Sequence, residues 1–186
     1  MVSGRWAWAA VLVLLLAGAL WWTTRTVVIF TVRLSQEEDR LVRAVPARSG
    51  ETVRLSYNHS VEKTPVEGVF VIAEGPSLRI RETRMASVGT GLPNTVPERT
   101  RREGEWIVVD EGMKQIDGLP FRWVDINLTQ LTVGATPVPL AGVRSGSLLL
   151  FNVEGVHRYR WWRWRVLGID WIASDRGQDS LKTRTK

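Results

Sequence analysis

From Val27 onward the chain is a succession of short apolar runs rich in β-branched residues, recurring at intervals of roughly 8–15 residues with Gly, Pro and Asn between them. No long helical period interrupts them. Thr52-Val53-Arg54-Leu55-Ser56-Tyr57-Asn58 alternates strictly, which puts Val53, Leu55 and Tyr57 on one face of a strand and Arg54, Ser56 and Asn58 on the other. Leu78-Arg79-Ile80-Arg81 repeats the pattern, and Val27–Leu34, Leu41–Val45, Gly68–Glu74, Trp106–Asp110, Phe121–Asn127, Leu131–Val133, Ser147–Val153 and His157–Val166 complete the set. Parallel sheets need helical crossovers for which the chain has neither room nor pattern, so these runs predict a single all-β domain, an antiparallel sandwich or barrel, over residues 25–173. Ser35 and Glu38 carry the spacing of a capping box, which makes a short helix over Leu34–Arg43 the competing reading there. The stretch Gly89–Glu105 is read as a surface loop, and residues 174–186 as a disordered polar tail.

The first 24 residues are of a different kind. Between Arg5 and Arg25 there is no charge, and as a helix these residues extend roughly 28 Å, close to the hydrocarbon thickness of a bilayer. Trp6 and Trp8 at one end and Trp21 and Trp22 at the other stand where interfacial aromatic belts belong. One N-terminal transmembrane helix is therefore expected, a retained anchor in preference to a signal cleaved after Ala17-Gly18-Ala19. Arg25 and Arg33 follow the segment closely, so flanking charge does not favour a cytoplasmic N-terminus. Its likeness to a signal sequence does, which places the domain on the extracytoplasmic side as a single-pass protein of the cell membrane.

The string Tyr57-Asn58-His59-Ser60-Val61-Glu62-Lys63-Thr64-Pro65-Val66-Glu67, followed by Glu82-Thr83-Arg84 and Gly89-Thr90-Gly91-Leu92-Pro93, resembles a family of short uncharacterised bacterial and archaeal proteins, a domain of unknown function. Genes of that family often sit beside TRAP transporters of the TAXI type. The resemblance covers roughly Glu51 to Val153 and rests chiefly on His-Ser-Val-Glu-Lys-Thr-Pro-Val. It implies a membrane-associated partner of a solute transporter, with TRAP transporter subunits as partners, and carries over no catalytic residue.

His59, Ser60, Glu62, Glu67 and Glu82 form the one compact polar constellation, with Arg84, Gly89 and Gly91 close behind in sequence. A loop over His59–Glu67, between two strands and stiffened by Pro65, is where binding groups usually sit on a β scaffold. An imidazole and carboxylates can bind a cation or exchange protons. Equally, Ser60 and Thr64 can bond the turn backbone with His59 satisfied locally. Adjacent His59 and Ser60 point apart in an extended chain, which does not suggest a nucleophile and its base. Gly89-Thr90-Gly91 lacks the lysine and spacing of a phosphate loop. With no cysteine and two histidines, disulfides, thiolate metal sites and a Cys nucleophile are excluded, and neither a metal nor a cofactor is expected. Asn58-His59-Ser60 and Asn127-Leu128-Thr129 match a glycosylation triplet that matters only in a eukaryotic secretory pathway.

Arg158-Tyr159-Arg160-Trp161-Trp162-Arg163-Trp164-Arg165-Val166 alternates charge and ring with a slip at Trp161-Trp162, which a β-bulge in a last strand would absorb. The net charge of +6 is concentrated from here on: eight basic and three acidic residues follow His157, against seventeen and sixteen before it. Trp161, Trp162, Arg163, Trp164 and Arg165 are candidates for a membrane interface, alongside core closure, and no nucleic acid is expected because the anchor would hold the domain away from it. The sequence thus predicts a membrane-anchored accessory or binding module beside a transporter. The alternative is a metal-dependent or hydrolytic enzyme centred on His59, Glu62, Glu67 and Glu82.

Overall fold

In a computed structural model, which describes residues 3–36, 39–87 and 97–166, two antiparallel sheets pack face to face behind an N-terminal helix. The helix is α1 (Ser3–Thr24). The strands are β1 (Thr26–Leu34), β2 (Arg40–Pro46), β3 (Thr52–Asn58), β4 (Pro65–Ala73), β5 (Ser77–Met85), β6 (Thr100–Glu103), β7 (Trp106–Ile116), β8 (Leu119–Arg122), β9 (Gln130–Val133), β10 (Thr136–Pro137) and β11 (Leu148–His157), and a second helix, α2 (Arg158–Val166), follows. The smaller sheet runs β2-β1-β11-β8 and the larger β10-β9-β3-β4-β5-β7-β6.

Period-2 patterning decides which side chains lie between the sheets. Phe30, Val32 and Leu34 of β1 and Leu149, Phe151 and Val153 of β11 meet Val53 and Leu55 of β3, Phe70 and Ile72 of β4, and Leu131 and Val133 of β9 in one buried cluster. Aromatic rings bridge it: Phe30 to Phe151 at 6.1 Å, Phe151 to Phe121 at 5.7 Å, and Phe121 edge-on to Tyr57 of the other sheet at 5.5 Å. Gly68 faces Leu55 on this inner side, and a Cβ there would sit 2.9 Å from the Phe70 ring, so the ring needs the missing side chain. The open flank is closed by the segment after β10. Val138 donates its N–H to Leu131 O at 2.8 Å, and the Arg43 guanidinium of β2 donates to Pro139 O and Ala141 O.

The two ends of the sandwich differ. β1 begins opposite the end of β11, Thr26 against His157, so α1 and α2 leave from the same end. The β4–β5 turn lies there too, since a Cβ on Gly155 would fall 3.1 Å from Thr26 Cγ2 and 3.3 Å from Pro76 Cγ. The β3–β4 turn is at the far end, a nine-residue strand away, or about 30 Å.

Several sequence expectations are corrected. His157–Val166 is not a strand with a bulge: β1 runs out at Thr26, no strand among the described residues pairs beyond His157, and the chain satisfies its own backbone as a helix. Among the described residues of Leu34–Arg43 there is no helix; β1 ends at Leu34, Ser35 and Gln36 turn and β2 starts at Arg40. Phe121–Asn127 is broken into β8 and a 3-10 turn at Asp125–Asn127 that ends on Leu128 in the left-handed region. Within the supposed loop Gly89–Glu105, Thr100–Glu103 is a strand paired with β7, whereas 88–96 lies outside the described residues. The expected transmembrane helix stands only in its coarser form. An N-terminal helix is present, but among the described residues no helix is long and apolar enough to cross a membrane. The aliphatic centre Ala9–Leu20 extends only about 18 Å, and the tryptophans and threonines beyond it add little hydropathy. Trp171 and the tail 174–186 lie outside the described residues.

Phe151→Ala is expected to lower unfolding free energy by about 3–5 kcal/mol, because the Phe30 and Phe121 rings both lose their partner. Gly68→Ala is expected to destabilise as well, by displacing Phe70. Urea titration of both variants against the parent checks this, and unchanged midpoints would contradict the packing described.

Candidate functional site

The far-end turn is built by its backbone. His59 N donates to Thr64 O at 2.8 Å, Lys63 N donates to His59 O at 2.9 Å, and Lys63 takes φ +56° to close the loop. The Glu62 N–H points at His59 Nδ1, 3.4 Å away, so the imidazole is engaged within its own turn. Pro65 opens β4, so the loop is His59–Thr64 and Glu67 stands inside the strand. Ser60, Val61 and Glu62 are exposed at the tip.

Glu67, Glu82 and Arg84 lie instead on the outer face of the large sheet, where the register places Glu67 opposite Arg84 and Glu82 between Val69 and Asp110. Glu67 is ion-paired with Arg54 of β3. Glu82 is 7% exposed, and its carboxylate accepts from Arg84 Nε at 3.0 Å and Arg101 Nη2 at 2.9 Å, with Arg81 3.8 Å away. The same two arginines reach Glu103, at 3.3 Å and 2.7 Å. Burial pushes the Glu82 carboxyl up, but hydrogen bonds from Arg101 and Arg84 and the charges of Arg84 and Arg81 outweigh it and hold the group below its ordinary range. A carboxylate so held is a poor proton acceptor at neutral pH and a good cross-strand clamp. Arg101, Arg54 and Glu103 were not singled out from the sequence. The charge alternation of β5 was the available signal, but which strand would lie beside it was not.

The expected constellation is therefore divided. His59, Ser60 and Glu62 share a turn, Glu67 and Glu82 are taken by arginines, and Gly89 and Gly91 lie outside the described residues. Among the described residues, no group of three His, Asp or Glu side chains could hold a metal ion.

Beside the His59–Thr64 turn the structure places a feature the sequence did not disclose. Ser56, Tyr57, Asn58, Pro65, Leu128 and Gln130 line an open cleft of about 220 Å³, because β3 pairs β9 with Ser56 opposite Gln130 and so sets Leu128 near the turn. Val61, Ile126 and Leu128 are 77%, 69% and 68% exposed at this end. Thr64 and Thr129, each next in sequence to a lining residue, have buried hydroxyl oxygens without a hydrogen-bond partner among the described residues. Burial pushes the Tyr57 phenol up, so it stays a neutral donor. The cleft presents neutral hydrogen-bonding groups beside apolar side chains.

At the other end, Trp6, Trp8, Trp21 and Trp22 are exposed on α1. Of the other interface candidates, Trp161 and Trp164 pack on the outer face of the small sheet against Ile29, Ala44 and Val156, while Trp162, Arg163 and Arg165 are exposed.

Residues 53–140 match the family model described as Domain of unknown function (DUF1850). The match takes in the large sheet and β8 but not β1, β2, β11 or either helix. No curated protein and no solved structure matches the chain.

Because the Glu82 carboxyl is held below its ordinary value of 4.5 in the folded state, the unfolded chain binds more protons across the acid range. The clamp is at full strength above that value and is lost as pH falls through the lower, folded value. Urea midpoints measured at pH 7 and pH 3 are expected to fall more for the parent than for Glu82→Gln. At pH 7 Glu82→Ala should cost about 1–3 kcal/mol.

Proposed function

We propose that this chain is a membrane-attached, extracytoplasmic accessory module, a binding domain held to the membrane by α1 and working beside a solute transporter of the TRAP type. One observation carries the reading. Six consecutive aliphatic residues, Val11 to Leu16, are all exposed, and at 100° per residue six positions leave no face of the helix covered. Such a helix needs apolar surroundings that the sandwich does not supply, since α1 meets the body through α2 at its C-terminal end. The tryptophans near its two ends suit an interfacial depth.

A binding role is supported by what the carboxylates do. Glu67 and Glu82 serve as strand clamps, which takes two of the four groups His59, Glu62, Glu67 and Glu82 away from hydrolytic or metal-dependent chemistry. The cleft at the far end and its exposed Val61, Ile126 and Leu128 are the surface we assign to the partner. The match to an uncharacterised domain family agrees with the resemblance from which transporter association is inferred.

Carbonate extraction of native membranes is expected to leave the full chain in the pellet, and protease added to right-side-out cells is expected to digest the β-domain. From mild detergent, the tagged chain is expected to bring down transporter subunits, and Val61→Asp with Leu128→Asp is expected to weaken that recovery at least tenfold while leaving the melting temperature unchanged. Release by carbonate would remove the membrane reading, and a clean pull-down with no transporter subunit would remove the accessory role.

A further inference from the structure

Six of the nine residues of α2 are exposed, and their composition is unusual. Trp161 and Trp164, at i and i+3, turn inward onto Ile29, Ala44 and Val156. The opposite side then presents Tyr159, Trp162 and Val166, all exposed and spaced i, i+3, i+7 as one apolar stripe, with Arg163 beside it. An apolar stripe turned outward on a short helix is not accounted for by the fold.

Cations surround the stripe. Arg25, Arg158, Arg160 and Arg165 lie over the rings of Trp21, Trp22, Trp164 and Trp161 at 3.8, 5.0, 5.4 and 5.9 Å. On the sheets, Arg33, Arg54, Arg84 and Arg101 each hold a carboxylate. Arg25, Arg158, Arg160, Arg163 and Arg165 have no ion-pair partner among the described residues. Each is positioned by an aromatic ring or by the helix, with its fork of N–H donors left for an oxyanion.

The place of this surface identifies the oxyanion. α2 packs on the C-terminal end of α1, and Arg158 reaches across to Trp22 while His157 Nδ1–H donates to Thr24 O at 2.9 Å. We propose that α2 is a second membrane contact that lies in the headgroup layer and recognises anionic phospholipid, its rings entering the interface and its arginines binding phosphates. This rests on the reading of α1 as the membrane-attachment helix. It adds that the sandwich is held upright, so that the His59–Thr64 turn and the neighbouring cleft stand about 30 Å from the bilayer.

The chain has no cysteine, so single labels report cleanly. Full-length Val166→Cys, Leu14→Cys and Val61→Cys, each carrying a polarity-sensitive fluorophore, are reconstituted into nanodiscs of neutral lipid alone or with about one-third anionic lipid. The label at residue 166 is expected to shift to the blue only with anionic lipid, to lose most of that shift between about 0.1 and 1 M salt as the Debye length contracts from ~10 to ~3 Å, and to lose it when Arg160→Gln, Arg163→Gln and Arg165→Gln are added. The label at residue 61 is expected to report water throughout. A residue-166 label that reports water in both lipids, or the same apolar environment in both, overturns the proposal while a blue-shifted residue-14 label leaves the α1 reading standing. A residue-14 label in water overturns both.

Discussion

The pairing of β1 with β11 is the constraint on which the molecule depends. It aligns Thr26–Leu34 with Leu149–His157 over nine consecutive positions, closing a loop of more than a hundred residues. The entropy of that closure is recovered only through burial, and the two strands supply Phe30, Val32, Leu149, Phe151 and Val153 to the core in return. The same pairing brings the first helix and the last helix to one end. A one-residue slip would put the Phe30 and Phe151 side chains on opposite faces of the sheet.

The large sheet is held by a different chemistry on its outer side. Its strands are laced by Arg54 to Glu67, Arg101 to Glu82 and Arg84 to Glu103, while Arg84 to Glu82 and Arg101 to Glu103 run along a single strand. Residues 53–140, which match the uncharacterised domain family, contain that sheet but not β1 and β11. Their inner face, with Val53, Leu55, Phe70 and Ile72, is covered by strands from outside the matched segment. The matched segment is therefore the large layer of a two-layer core together with β8, one edge strand of the other layer.

How legible this was in the sequence can be judged element by element. β3 was readable to the residue because Val53, Leu55 and Tyr57 alternate with polar neighbours across one buried and one exposed face. β4 was readable but started late, since Val66 and Gly68 bracket an ionic Glu67 that masked the period. α2 was misread. Nine residues alternating Arg and ring suit a strand, and only the absence of a partner beyond Thr26 decides for a helix. Of the candidate site, the His59–Thr64 turn was legible, whereas Glu82 reads as a binding candidate in the sequence because Arg101, nineteen residues on, gives no sign of lying beside it. The cleft was missed altogether, since it needs the β3–β9 register to bring Leu128 and Gln130 to Ser56.

By itself the sequence determined an all-β body of alternating strands and an N-terminal helix with an aliphatic centre, because both follow from local patterns of hydrophobicity. Tertiary structure alone decided that α1 and α2 share an end, that Trp161 and Trp164 turn inward while Trp162 turns out, that Glu67 and Glu82 become clamps, and that the cleft stands opposite the helices. Those outcomes depend on register between strands far apart in sequence, and register is set by packing of the whole core, which no local pattern contains.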